Sequence, residues 1–301
     1  MNRRQFLAGL AASLPLAALG EAASIDLRLG VQLWMLRDEL QKDFTGTLKK
    51  VAEIGLKRVE LVDITVRPAA EIKSALAASR LECVSAHVSL AEFDADIVGI
   101  LDRARQIGIR TLVVPRPWLP PAQQERMKNG QYRQVMNEEI TLDHWKLTAS
   151  LLNIQGEKLR QAGMQLAFHN HNFEFRKFGD VVPYEMLAAA TDPRLVKLQL
   201  DVGWLVSAGL DPVTFLKRWP QRFASLHLKD VQAGFTPNVT LDTVPIEIGK
   251  GVVKWGEILP LAYQTGIREY YIEQEGPYLR PPLESLRLSY KYLNDLAFRL
   301  Q

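Results

Sequence analysis

The sequence predicts one domain, an eight-stranded parallel barrel of the (β/α)8 type. Three observations support this prediction. Four segments repeat the order helix, glycine and buried apolar strand, and four further apolar runs bring the number of predicted strands to eight. Stretches with helical periodicity lie between consecutive strands. The chain of 301 residues also suits one such barrel, since domains of this type hold about 250 residues.

The four repeated units place glycine where a helix ends, because glycine readily adopts the left-handed backbone that follows a helix. Such units are typical of parallel β/α repetition. Their glycines are Gly55, Gly108, Gly163 and Gly266, and their strands are predicted at residues 59–62, 111–114, 166–168 and 270–272. The other four strands are predicted at residues 29–34, 83–88, 196–200 and 224–228.

Apolar residues recur at helical spacing between the strands. Helices are predicted at residues 44–54, 69–79, 97–107, 144–161, 212–219, 255–264 and 283–296, with a weaker pattern at 183–190. The longest connections, residues 117–143 and 232–255, follow the fourth and seventh strands. An open doubly wound sheet is the alternative fold, but the G-x-G-x-x-G loop of its dinucleotide-binding forms does not follow the first strand. The closed barrel is therefore favoured.

The composition excludes several classes of protein and site. Apolar residues form 47% of the chain and charged residues 24%, which excludes disordered and collagen-like proteins. The net charge of +3 is small and evenly spread, so nucleic acid is not an expected partner. Cys83 is the only cysteine, which excludes an intrachain disulfide and a cysteine-rich metal cluster. Metal ligands are therefore expected to be histidine and carboxylate.

The first 23 residues predict an export signal, leaving residues 24–301 for the barrel. Arg3 and Arg4 precede an apolar run at residues 6–19, which is secretory signal architecture. The run of about 14 residues is shorter than the ~20 needed to span a bilayer, so no stable membrane span is expected after cleavage. Paired arginines are typical of a twin-arginine signal and a periplasmic protein. An uncleaved anchor or a chance basic helix is the alternative.

Polar residues stand at the end of nearly every predicted strand. In (β/α)8 barrels the active site forms at the C-terminal ends of the strands, so these residues are candidates for function. Four of the five histidines of the chain are among them. In strand order they are Gln32 and Arg37, Glu60 and Asp63, His87, Arg116, His169 and His171, Asp201, His227 with Lys229 and Asp230, and Glu273 and Glu275.

These residues predict a divalent metal site. Residues two apart on a strand share a face, so His169 and His171 are expected to point together. A site of mixed nitrogen and oxygen ligands suits Mn, Co, Zn or Fe better than Mg or Ca. The alternative is structural. In that reading His87 and His227 are hydrogen-bonded within the barrel, and Asp201 and Glu273 form ion pairs with Lys229 and Arg37.

Five motifs resemble the xylose-isomerase-like barrel superfamily of sugar (phosphate) isomerases and epimerases, over residues 29–296. The motifs are AFHNHNFEF at 167–175, LDVGW at 200–204, LHLKD at 226–230, IGKGV at 248–252 and YIEQE at 271–275. The resemblance implies one metal ion held by Asp201, His227 and Glu273. His169 occupies the fifth-strand position, where many relatives have glutamate, and is expected as a further ligand or as an acid or base.

The resemblance also implies chemistry on a sugar next to its carbonyl group, through an enediolate. A metal polarises such a carbonyl while a carboxylate removes the neighbouring proton. Glu273 is the expected base, and His169 or His171 the second acid or base. The expected activity is isomerisation or epimerisation. A 3-keto-glycoside lyase or hydratase is the second candidate, and a non-catalytic sugar-binding barrel the third. Few histidines and an even charge distribution oppose a DNA endonuclease of the same superfamily.

Supporting residues are expected around a small carbohydrate substrate. Lys229 either holds a substrate oxygen or is a paired structural charge, and Glu60 either contacts substrate or pairs with Arg58. The expected substrate contacts are Gln32, Trp34, Arg37, Glu60, His87 and Trp204. Glu174 and Arg176 are expected to pair with each other. The last helix, residues 283–300, has an apolar stripe. The stripe is expected to pack either on the barrel or on a second subunit of a homo-oligomer.

Overall fold

The computed structural model describes residues 27–65 and 67–300, and they form a closed parallel barrel. Its first seven strands are β1 (Leu29–Gln32), β2 (Arg58–Leu61), β3 (Glu82–His87), β4 (Thr111–Val114), β5 (Gln165–His169), β6 (Val196–Asp201) and β7 (Phe223–Leu228). A short antiparallel pair follows, β8 (Asp230–Val231) with β9 (Pro245–Ile246), and the eighth barrel strand is β10 (Glu269–Ile272). Because β10 pairs with both β1 and β7, the sheet closes as predicted.

Helices surround the strands. They are α1 (Arg37–Lys42), α2 (Phe44–Ile54), α3 (Ala69–Ser79), α4 (Leu90–Ile107), α5 (Pro121–Arg126), α6 (Tyr132–Gln134), α7 (Leu142–Gln161), α8 (Pro183–Ala190), α9 (Val202–Ser207), α10 (Pro212–Arg218), α11 (Trp255–Gln264) and α12 (Pro282–Arg299). Gly55 and Gly108 end α2 and α4 with φ of 118° and 105°. These left-handed conformations are the ones that the repeated sequence units predict.

The differences from the predicted elements have local causes. β1 ends at Gln32 instead of residue 34, because the Gln32 side chain accepts a hydrogen bond from the backbone N–H of Trp34 at 3.1 Å and caps a 3-10 turn. α4 begins seven residues before the predicted start, since Ser89 and Glu92 form a capping box. The long connection after β4 contains α5, α6 and two π-helical turns.

The barrel interior is polar over much of its height, whereas the interior of such barrels is usually filled by branched apolar side chains. Near the N-terminal end, Arg58 forms ion pairs with Glu82 at 3.3 Å and Glu269 at 2.5 Å. Higher in the barrel, Gln199 donates hydrogen bonds to Glu60 at 2.8 Å and to Ser225 at 2.9 Å. Buried polar groups must find partners, and this network supplies them directly beneath the strand ends.

Among the described residues, no helix is both long and apolar enough to cross a membrane. The predicted export signal at residues 1–23 lies outside the described residues.

Candidate active site

Three buried side chains converge at the C-terminal ends of neighbouring strands. Asp201 is the last residue of β6 and pairs in register with His227 of β7, while Glu273 follows β10 directly. Each side chain offers one possible ligand atom, and these atoms lie within 4.8 Å of one another. His227 Nδ1 lies 2.9 Å from Glu273 Oε2 and 3.8 Å from Asp201 Oδ2. The geometry is that of a candidate divalent metal site.

His227 is held in orientation by a carboxylate below it. Its Nε2 lies 2.6 Å from Oε2 of Glu60, which is fully buried. Burial alone would lower the pKa of His227, but Glu60 and Glu273 outweigh it and raise that pKa to about 10. Likewise His227 and His87 overcome the effect of burial and keep the pKa of Glu60 well below its usual value. Without an ion, His227 is therefore protonated on both ring nitrogens and contacts Glu60 and Glu273. Metal-binding histidines typically donate their second ring N–H to a carboxylate, so an ion would displace the proton of Nδ1 while Nε2 stays bound to Glu60.

Glu60 lies beneath the site rather than on its wall. Besides His227, its carboxylate accepts hydrogen bonds from Gln32 at 2.8 Å, from Ser85 at 2.5 Å and from Gln199 at 2.8 Å. The alternative pairing with Arg58 is wrong, because Arg58 is bound by two other carboxylates one layer below. Glu60 therefore positions its neighbours and has no free oxygen for a substrate.

Only one carboxylate oxygen of Asp201 accepts a hydrogen bond from the described residues. Its Oδ1 accepts a hydrogen bond from the backbone N–H of Trp204 at 2.8 Å. Its fully buried Oδ2 accepts no well-oriented hydrogen bond from the described residues, although Lys229 Nζ lies 3.1 Å away. Burial raises the pKa of Asp201 above its ordinary value, against the opposing effect of the Lys229 ammonium. This oxygen, which has an ion-pair contact but no hydrogen bond and lies 3.8 Å from His227 Nδ1, can serve as a ligand of a metal ion.

Lys229 is completely buried among three carboxylates. Its Nζ lies 3.1 Å from Asp201 Oδ2, 3.2 Å from Glu273 Oε2 and 2.9 Å from Glu275 Oε1. Burial would lower the pKa of Lys229, yet these carboxylates raise it well above its usual value. The ion pairs predicted for a purely structural cluster are therefore present for Lys229. These three carboxylates and Glu60 nevertheless outnumber the two cations, Lys229 and the protonated His227, which leaves negative charge for a metal ion.

The predicted pair His169 and His171 share one face, with ring centroids 5.0 Å apart. His169 Nδ1 lies 3.0 Å from Gln199 Oε1, which leaves Nε2 for another partner. His169 also comes within ligand range of His87 and His227. Burial, reinforced by His227, keeps the pKa of His169 well below its usual value, and burial lowers the pKa of His171 to about 4. Both imidazoles are neutral at neutral pH, the form that binds metals or accepts protons.

A cavity of about 450 Å³ opens above the cluster, within the usual size range of small-molecule sites. Arg37 does not line it: the guanidinium lies over the exposed Trp34 ring and 3.6 Å from Asp38. Arg37 therefore forms no ion pair with Asp201 or Glu273. The residues from the predicted set that line the cavity are Gln32, Trp34, His87, Arg116, His169, His171, Trp204, Glu273 and Glu275.

The sequence analysis did not identify Tyr132 and predicted the wrong partner for Glu174. Tyr132 lines the cavity from α6, inside a segment where no helix was predicted. Glu174 does not pair with Arg176, which instead donates hydrogen bonds to backbone carbonyls, including that of Met136 at 3.1 Å. The buried carboxyl of Glu174 accepts a hydrogen bond from the backbone N–H of His171 at 2.9 Å, and its other oxygen lies 3.8 Å from His171 Nδ1. Burial raises the pKa of Glu174 well above its usual value.

Asp230 serves the fold and lies outside the cavity lining. Its carboxylate accepts hydrogen bonds from the backbone N–H groups of Gly249, Gly251 and Val253 and from the indole of Trp255, at 2.9 to 3.3 Å. The IGKGV motif at 248–252 is therefore folded around Asp230. Asp63, another residue at a strand end, forms a local turn with Thr65.

Comparison with known proteins identifies the family of this chain. The family model of the xylose isomerase-like TIM barrel matches residues 48–296, and the chain belongs to that family. An inosose dehydratase of Clostridium beijerinckii is 23% identical over 279 residues, which cover 85% of this chain and 90% of that protein. The resemblance inferred from the motifs is confirmed at the level of the family.

Solved structures share the fold. A sugar phosphate isomerase/epimerase from Parabacteroides distasonis superposes with a TM-score of 0.73 at 24% identity, covering 95% of this chain and 99% of that one. The 3-keto-D-glucoside 4-epimerase of E. coli superposes with a TM-score of 0.63 at 14% identity, covering 89% and 99%.

Proposed function

We propose that this protein is a divalent-metal-dependent sugar isomerase or epimerase that works through an enediolate. The observation that carries the proposal is the buried convergence of Asp201, His227 and Glu273 beneath a cavity lined by two neutral histidines. The family and the sugar-directed enzymes among its relatives support a carbohydrate substrate.

The residues that would hold the ion are Asp201 through Oδ2, His227 through Nδ1, and Glu273, with His169 as a further ligand. The donor set of nitrogen and oxygen favours Mn, Co, Zn or Fe over Mg. When bound, the ion would supply a Lewis acid that polarises a sugar carbonyl and stabilises the enediolate.

In this proposal, side chains of the protein itself carry out the proton transfers. His227 and Lys229 both approach Oε2 of Glu273, so Oε1 is the oxygen available to take a proton from the carbon next to the carbonyl. The pKa of Glu273 lies below its usual value, because Lys229 and His227 outweigh the effect of burial, so this carboxylate is ionised at neutral pH. His171 lines the cavity as a neutral imidazole and is the proposed second proton carrier. Trp204 and Trp34 offer apolar faces to the ring of the sugar.

A lyase acting on a keto-sugar or 3-keto-glycoside is the second candidate. The relatives named inosose dehydratase favour it, since they align over most of the chain. A carboxylate or a neutral imidazole can remove the proton next to a carbonyl and, once protonated, can deliver that same proton to a departing hydroxyl group. The same residues therefore serve both reactions, and the product distinguishes them.

The test is a screen of sugars and keto-glycosides in deuterium oxide, with metal-free and Mn-loaded protein. We expect turnover only with metal, and deuterium on the carbon next to the carbonyl of an isomer or epimer. Glu273→Gln should abolish this exchange. Loss of water or of an aglycone would favour the lyase. Turnover without deuterium would contradict the proton-transfer mechanism, and the absence of both turnover and metal binding would favour the non-catalytic barrel.

We also propose that residues 1–23 direct export to the periplasm. Replacement of both Arg3 and Arg4 by lysine should retain the protein in the cytoplasm of the producing bacterium, as measured by cell fractionation. Unchanged export of this variant would contradict a twin-arginine signal.

A further inference from the structure

A second cavity, of about 680 Å³, adjoins the one above the metal cluster. It lies among the segments that follow β2, β3 and β4. Both cavities are lined by His87, Pro115, Arg116 and Tyr132, so they share a wall. The first cavity already has the size of a small-molecule site. The second therefore provides room for a part of the ligand that extends beyond the reacting sugar ring.

The acidic side chains in the wall of the second cavity are already bound by local donors. Asp63 Oδ1 accepts hydrogen bonds from the backbone N–H and the hydroxyl of Thr65, at 2.6 and 2.7 Å. Glu92 Oε2 accepts hydrogen bonds from the backbone N–H and hydroxyl of Ser89, at 2.7 and 2.5 Å. Neither carboxylate neutralises a cation of this cavity.

Arg116 differs from these residues. It lies two residues beyond the end of β4, is half-buried and lines both cavities. Within residues 27–65 and 67–300, its guanidinium has no hydrogen-bond acceptor and no ion-pair partner. Partial burial of a charge without a partner is costly. A guanidinium also presents a rigid fork of N–H donors that matches the two oxygens of a carboxylate or phosphate.

We propose that Arg116 binds an acidic group of the substrate, in a subsite formed where the two cavities meet. The proposal rests on the proposed function, because the reacting ring occupies the first cavity. The ligand class is a glycoside or other extended sugar that carries a carboxylate or a phosphate beyond the reacting ring. Tyr132 and Trp118 form part of the wall around this extension.

Matched pairs of neutral and acidic disaccharides test the subsite. Binding is measured by calorimetry on Mn-loaded protein with cellobiose against cellobionate, and with trehalose against trehalose 6-phosphate. We expect an acidic member to bind about tenfold more tightly than its neutral counterpart, as for a charge-assisted bidentate contact. A preference for cellobionate assigns a carboxylate, and a preference for trehalose 6-phosphate assigns a phosphate. Equal affinities within both pairs would overturn the proposal.

Variants assign the preference to Arg116. Arg116→Gln should remove the preference for the acid, and Arg116→Lys should keep part of it, because lysine retains the charge but loses the fork. Arg105→Gln, which changes an exposed arginine of α4, should leave both affinities unchanged. The melting temperature of Arg116→Gln should be no lower than that of the wild type, since no intramolecular partner is lost. A preference that survives Arg116→Gln would overturn the subsite.

The experiments distinguish a failure of the Arg116 subsite from a failure of the proposed reaction. An acid preference that depends on Arg116, without turnover in the deuterium screen, would leave the subsite standing and contradict the isomerase. Metal-dependent turnover with no acid preference would support the proposed reaction and contradict the subsite.

Discussion

Charged side chains on the two sides of the barrel mouth differ in whether they have a partner of opposite charge. At the ends of β6, β7 and β10, the buried charges of Asp201, Lys229 and Glu273 face one another. At the end of β4, Arg116 has no such partner among the described residues. Fixed, mutually paired groups are preorganised for chemistry, whereas an unpaired cation on a cavity wall is available for a ligand. Substitutions on the first side should therefore affect stability and metal binding, and those on the second side ligand affinity.

Removal of Lys229 should have the largest effect on stability. Lys229→Met would leave three carboxylates around an uncharged side chain, and breaking a buried ion pair in this way costs about 3–5 kcal/mol. The free energy of unfolding, measured in urea on metal-free protein, should fall by that amount. A loss below about 1 kcal/mol would contradict this, because substitutions of exposed residues already reach about 0.5 kcal/mol.

Loss of the carboxylate below His227 should weaken metal binding, although that carboxylate is not itself a metal ligand. Glu60→Gln removes the partner of His227 Nε2, and such changes typically cost 10- to 100-fold in metal affinity. Competition with a chelator measures the affinity. Ser85→Ala is the matched control, since it removes one hydrogen bond to Glu60 and keeps the charge. Equal affinities of the wild type and Glu60→Gln would show that Glu60 does not orient His227.

The smallest predicted effect concerns Glu174 and pH. Because burial raises the pKa of Glu174, the folded protein binds this proton more tightly than the unfolded chain does. Stability should therefore fall as pH rises above about 4.5, until the pH passes the raised pKa. Glu174→Gln lacks this dependence, so its free energy of unfolding relative to wild type should increase as the pH rises from about 5 to about 8. A pH-independent difference would show that the carboxyl is ionised in the folded state.

The fold could be predicted because its signals are local. Helical periodicity, glycine at helix ends and short apolar strands repeat along the chain, and α2, α3, α8 and α11 have the predicted bounds. Alternation along the fifth strand also predicted that His169 and His171 share a face, which their rings do.

The depth of each side chain in the barrel, and the residues that it contacts, could not be predicted in the same way. Alternation indicates that Glu60 points into the barrel but not that it lies one layer below the cavity, which depends on strand stagger. Arg37 lies outside the cavity because a 3-10 turn intervenes between β1 and α1. Glu174 contacts His171 rather than Arg176, because the 3-10 turn at Phe173–Phe175 brings the glutamate back. Each of these placements follows from tertiary geometry.

The most direct test of the central claim is a crystal structure of Mn-loaded protein with anomalous diffraction at the manganese edge. We predict one anomalous peak per chain, bound by Asp201, His227 Nδ1 and Glu273, and no such peak in Asp201→Asn. Well-ordered crystals without a peak, in which Lys229 Nζ still contacts Asp201 and Glu273, would show that side chains alone balance the charge of these carboxylates and would contradict the account.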